Sequence, residues 1–136
     1  MKLNLVLNVI IVSTLTGCAA KTPEQTSSWS NTVSVSCISE KDCAEKWQRA
    51  DQWIRQHSYW PIKRSDHEVI ETDRPRSSGY SRTRYRVVKE TTSGTTAEIR
   101  MEATCLPSVH CSPNTEQSRA AFVQYLQTGE DRDALH

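Results

Sequence analysis

The chain is 136 residues long, with 17 Lys and Arg against 16 Asp and Glu, a formal net charge of +1 and 36% hydrophobic residues. That length supports one domain with a modest core. The near-zero balance gives no electrostatic reason to expect a nucleic acid partner or a polybasic grip on anionic lipid.

The first residues read as an export signal. Lys2 precedes the apolar run Leu3-Asn4-Leu5-Val6-Leu7-Asn8-Val9-Ile10-Ile11-Val12, and small residues follow. Asn4, Asn8 and the Ser13-Thr14 pair interrupt the run, which falls short of the ~20 apolar residues of a spanning helix. Leu15-Thr16-Gly17-Cys18 then resembles the lipobox of bacterial lipoproteins, in which a small residue precedes an invariant Cys. The resemblance implies cleavage of residues 1–17, a diacylglycerol on the Cys18 sulfur and a third acyl chain on its new amine, with no other cofactor. Acyl burial contributes about 0.8 kcal/mol per CH2, so several chains together make a lasting anchor. In that family Asp after the Cys tends to retain the protein at the inner membrane. Ala19 therefore implies, for a Gram-negative source, the outer membrane. An ordinary signal peptide with an incidental Cys, or an uncleaved membrane stub, are the alternatives left open.

Cleavage removes one cation, Lys2, and no anion, so the mature charges balance. Residues 18–31 are polar and aperiodic and read as the lipidated Cys followed by a flexible tether, with Trp29 its one sticky residue. A single domain is expected over 32–129, then a charged, fraying tail over 130–136. Four cysteines remain, Cys37, Cys43, Cys105 and Cys111, an even number that in an exported chain reads as two disulfides. Each neighbouring pair has five intervening residues. Local pairing is favoured among the three possible connectivities, each short loop contributing roughly 2 kcal/mol.

Val33, Val35 and Cys37 alternate with serines, the period of a strand with one buried face. Ser39 with Glu40 and Asp42 reads as a helix start, and Cys43, Trp47, Ala50 and Ile54, with Trp53 beside them, form an apolar stripe to about His57. Tyr59 to Lys63 reads as a strand limited by Pro61, Asp66 to Glu68 as a turn, and Val69 to Thr72 as a strand. Thr83, Tyr85 and Val87 alternate with Arg82, Arg84 and Arg86. After a turn at Ser93-Gly94, Ala97, Ile99, Met101, Ala103 and Cys105 alternate with charged and polar residues, which makes an antiparallel hairpin. Asn114-Thr115-Glu116-Gln117 resembles a capping box for a helix that turns Ala121, Phe122, Tyr125 and Leu126 inward and stops at Gly129. The order is β-α-β-β-β-β-α: an α+β fold with an antiparallel sheet of about four to five strands and two helices packed on one face. Over residues 43–126 this pattern is similar to the helix-grip domains of outer-membrane assembly lipoproteins, a likeness that bears on fold alone.

Few residues carry chemistry. Arg74, Arg76, Tyr80 and Arg82 belong to the longest aperiodic polar segment of the domain, a candidate partner-binding loop. Arg82, Arg84 and Arg86 are expected as cross-strand ion pairs, Arg86 near Glu98 and Arg82 near Glu102, rather than as a phosphate or lipopolysaccharide grip. Zinc at the cysteines and His110 is disfavoured, since an oxidising compartment favours disulfides and the spacing fits no common module; no metal is expected. His57, His67 and Asp66 lack a partner nucleophile, so no catalytic residue is expected. The sequence thus implies a non-enzymatic interaction or assembly module of the cell envelope, anchored through lipid and facing the periplasm, with an envelope protein as partner. The alternative is a small-ligand-binding or cell-wall-hydrolase-inhibitor lipoprotein; an enzyme, requiring a cleft that joins His57 or His67 to an acid, comes third.

Overall fold

The computed structural model describes residues 32–74, 82–106 and 110–131. The leader, Cys18, the tether, Arg76, Tyr80 and residues 132–136 lie outside them. In chain order the elements are β1 (Thr32–Cys37), α1 (Glu40–His57), β2 (Ile62–Ser65), β3 (Val69–Thr72), β4 (Arg84–Ser93), β5 (Thr96–Thr104) and α2 (Thr115–Thr128). The strands form one antiparallel sheet in the order β1-β5-β4-β3-β2, and both helices pack on one face of it. This is the α+β architecture that the alternation of periods implies.

Local chemistry explains each boundary. Ser39 caps α1, its hydroxyl accepting from the Asp42 amide at 3.2 Å. The Asp42 carboxylate in turn accepts from the Ile38 amide and from Lys46. Those bonds, Lys46 foremost, hold its carboxyl below the usual range. Asn114 caps α2 by accepting from the Gln117 amide at 2.8 Å. That helix ends on Gly129, whose φ of +75° is a left-handed conformation open to glycine. Arg49 reaches across from α1 to donate to the Leu126 carbonyl at 2.8 Å, placing a cation at the negative end of α2.

The core lies between sheet and helices. Val35, Tyr85, Val87, Ile99 and Met101 rise from the strands to meet Ala50, Trp53, Ile54, Phe122 and Leu126. Burying each large apolar side chain contributes about 1.5–3 kcal/mol. Trp53 stands edge-on to both Tyr85 and Phe122, ring centres 5.4 Å apart in each case. Its indole N–H meets no acceptor among the described residues, an exception offset by the packing of the ring. The Tyr85 hydroxyl lies 3.0 Å from Ser118 Oγ. Burial pushes the Tyr85 phenol up, and the Ser118 bond pulls it partly back.

Three local expectations need correction. The strand expected from Tyr59 to Lys63 begins only at Ile62, because Ser58 Oγ bonds both the amide and the carbonyl of Trp60 and bends the chain there. The β4–β5 hairpin pairs Arg86 with Glu102 and Glu90 with Glu98, not Arg86 with Glu98 or Arg82 with Glu102. The faces are as expected, but the Gly94 turn and the shift between Thr91 and Ser93 set a register four residues away. Residues 130 and 131 of the expected tail are tied down: the Glu130 amide donates to Thr128 Oγ1, and Asp131 meets His57.

Candidate functional site

The strand alternation that turns Thr83 and Tyr85 inward turns Arg82 and Arg84 outward. Thr83 fixes the start of this run by donating to the Pro113 carbonyl at 3.0 Å. Arg84, opposite Thr104 across the hairpin, forms an ion pair with Glu71 in which both side chains are 17% exposed. Arg82 is held twice: Nη1 donates to the Ser112 carbonyl at 3.1 Å, and its guanidinium lies 5.1 Å above the Tyr59 ring. The Trp60 indole N–H donates to the Arg82 carbonyl at 3.3 Å, bringing the two aromatic residues to the same place. Arg74 follows β3, where Asp73 accepts from its backbone amide. With Thr104, Cys105 and Leu106, these three arginines enclose a cavity of about 300 Å³.

Cys105 is joined to Cys111, with Cα atoms 6.1 Å apart. That bond ties the wall of the cavity to the segment whose Ser112 carbonyl positions Arg82. Cys37 is joined to Cys43 at the other end of β5, so both local pairings expected from spacing are present. The charge of Arg84 is met by Glu71. Among the described residues, neither Arg74 nor Arg82 has a carboxylate within ion-pair distance. A planar, permanently charged guanidinium presents paired donors that match a carboxylate or phosphate edge. The arrangement can receive an anion. The described residues that line the cavity include no histidine or carboxylate.

Two of the four residues expected in a binding loop, Arg74 and Arg82, therefore come together; Arg76 and Tyr80 lie outside the described residues. Arg84 and Leu106 were missed as site residues. The outward Arg82-Arg84-Arg86 triplet was the available signal, but Arg86 lies farther along, opposite Glu102 and Glu71.

A second cavity, of about 620 Å³, lies where the end of α1 meets α2 and is lined by Gln56, His57, Gln117, Gln124 and Glu130, among others. His57 is stacked on Trp53 at 4.3 Å. Its Nδ1 lies 2.9 Å from the Trp53 carbonyl, and its Nε2 lies 3.2 Å from the Asp131 carboxylate. A histidine and an acid thus meet at a cleft, the feature an enzyme would need. Both ring nitrogens are engaged, and the described residues lining the cavity include no Ser, Thr, Cys or Tyr. As built, His57 ties α1 to the end of the chain. His67 is exposed beside Glu68, at 3.7 Å. Comparison with protein-family models gives no match, and comparison with curated proteins gives none either, so geometry alone speaks for these sites.

Proposed function

We propose that the chain is an exported lipoprotein, held in the outer membrane by acyl chains on Cys18 and facing the periplasm, whose domain is a non-enzymatic interaction module of the cell envelope. The lipobox-like Leu15-Thr16-Gly17-Cys18 supports the anchor. Two disulfides fit an oxidising compartment. The observation that carries the binding role is the cavity lined by Arg74 and Arg82, which have no carboxylate within ion-pair distance among the described residues, with Arg82 held by the Ser112 carbonyl. Such a site docks an anionic group supplied by an envelope component. At the β1 edge of the sheet Lys46 donates to the Ser36 carbonyl at 2.9 Å, which takes one acceptor from any strand added there.

Labelled palmitate incorporated into the wild type and absent from Cys18→Ser is the expected result for the anchor; label retained in the variant rejects it. For the module, acylated wild type and Arg74→Gln/Arg82→Gln are recovered from solubilised envelopes after cross-linking. Associated material is expected to fall in the variant, and undiminished recovery removes the arginine cavity from the reading. Ligand binding is the second reading, favoured by the amide-lined cavity beside His57. An enzyme remains third.

A further inference from the structure

Given the Cys18 anchor proposed above, we infer that the anionic group taken by the Arg74-Arg82-Arg84 cavity is the phosphodiester of an anionic lipid headgroup in the anchoring leaflet. The strand register carries the inference. β1 begins at Thr32, which pairs with Glu102, and Arg84 pairs with Thr104. The chain that leads back to Cys18 therefore leaves the domain at the same end of the sheet as the cavity. Residues 18–31 cover at most about 50 Å even fully extended. Arginines at this end thus lie within reach of the surface in which the acyl chains are buried.

The chemistry of the two ends differs in the same sense. The end bearing Thr32 presents Arg74 and Arg82, without carboxylate partners among the described residues, Tyr59 at 62% exposure, and Trp60 beside it at a ring separation of 5.3 Å. Arginine with tyrosine and tryptophan is a combination that rests at a bilayer interface, with cations on phosphate and amphipathic rings at headgroup depth. Leu106 gives the cavity an apolar wall against which a glycerol backbone can lie. At the opposite end, which holds the start of α1 and the β4–β5 turn, the carboxylates of Asp42, Asp66 and Glu90 are paired with Lys46, Arg64 and Arg100. An anionic surface thus meets guanidinium groups without carboxylate partners among the described residues at the first end, and paired charges at the second. An acidic protein segment would also meet the arginines, but the position of Thr32 and the exposed Tyr59 ring favour the membrane.

The test uses the mature chain, residues 18–136, with Cys18→Ser so that no acyl chain does the binding. The mature chain keeps every core residue found among the described residues. The chain is sedimented with phosphatidylcholine vesicles, with and without phosphatidylglycerol. Binding is expected only with phosphatidylglycerol. It should weaken roughly fivefold in Arg82→Gln and roughly thirtyfold in Arg74→Gln/Arg82→Gln, at one surface cation per step. Lys41→Gln removes the same charge from the far end and should leave binding unchanged. Equal weakening by Lys41→Gln and Arg82→Gln, or no vesicle binding by the wild type, overturns the inference. So does binding of inorganic phosphate or of a poly-glutamate peptide, sensitive to Arg82→Gln, in the absence of vesicle binding. Those last two results leave the interaction-module reading standing, since they change the source of the anion and not the site.

Discussion

The two disulfides close loops of equal length at opposite ends of the sheet, yet they sit in opposite surroundings. Cys37 and Cys43 are 1% and 7% exposed, packed with Ala97, and lock β1 onto the first turn of α1. Cys105 and Cys111 are only half-buried and bridge the end of β5, where Cys105 walls the arginine cavity, to the lead-in of α2. The loop-closure contribution depends on loop length and is the same for both. What differs is what each bond holds in place: one steadies the packing of a core, the other the position of a guanidinium.

Breaking the two bonds separately tests that division. Cys37→Ala/Cys43→Ala should cost the most, about 3–4 kcal/mol, from roughly 2 of loop entropy plus the cavity left by two buried sulfurs. Urea denaturation reads it, and anion binding should survive in the folded fraction. Cys105→Ala/Cys111→Ala should cost about 2 kcal/mol, near the loop-entropy value alone, but should weaken anion binding, because the segment carrying the Ser112 carbonyl is freed. Equal stability losses, or a second variant that binds as the wild type does, would erase the distinction. A smaller effect separates the neutralised arginine from the free ones. Glu71→Gln leaves Arg84 half-buried without its carboxylate and should cost about 1–2 kcal/mol, below the cost for a fully buried pair. By contrast, Arg82→Gln should stay within about 0.5 kcal/mol of the wild type in stability, so that its effect falls on binding.

The same contrast between ends explains what the sequence could and could not disclose. Val33, Val35 and Cys37, the caps at Ser39 and Asn114, and the stop at Gly129 each act within a few residues, so their patterns are readable along the chain. Cysteine spacing is equally local. Register is not: the faces of β4 and β5 follow from alternation, but whether Arg86 meets Glu98 or Glu102 depends on the Gly94 turn. The cavity inherits that uncertainty, since Arg84 joins it only because it stands opposite Thr104. Arg74 and Arg82 stood out for belonging to an aperiodic polar segment; Leu106 gave no such sign. The meeting of His57 with Asp131 joins the end of a helix to a segment whose composition suggests fraying. Net charge misled most simply. A balance summed over the chain is silent about which cations are met by a carboxylate, as Arg84 is by Glu71, and which, among the described residues, are not.

The end opposite the arginine cavity carries the mildest and most specific expectation. Asp66 sits in the β2–β3 turn, where the amides of Glu68 and Val69 donate to its Oδ1 at 2.9 and 2.8 Å and Arg64 meets its Oδ2. Those bonds, the Glu68 amide first, lower its carboxyl to a pKa of about 2. In the unfolded chain an aspartate titrates near ~3.9. A carboxyl whose folded value is depressed adds stability that is fully present above the unfolded value and is lost as pH falls through the folded one. The loss should therefore run from about pH 4 down to about pH 2. Asp66→Asn removes the titrating proton while keeping an acceptor for the two amides. The acid limb of its stability profile, read by urea midpoints against pH, should be flatter than that of the wild type across that window, and at neutral pH the two should differ little. An acid limb as steep in Asp66→Asn as in the wild type would assign the acid sensitivity to other carboxylates and leave the turn at Asp66 with a purely geometric role.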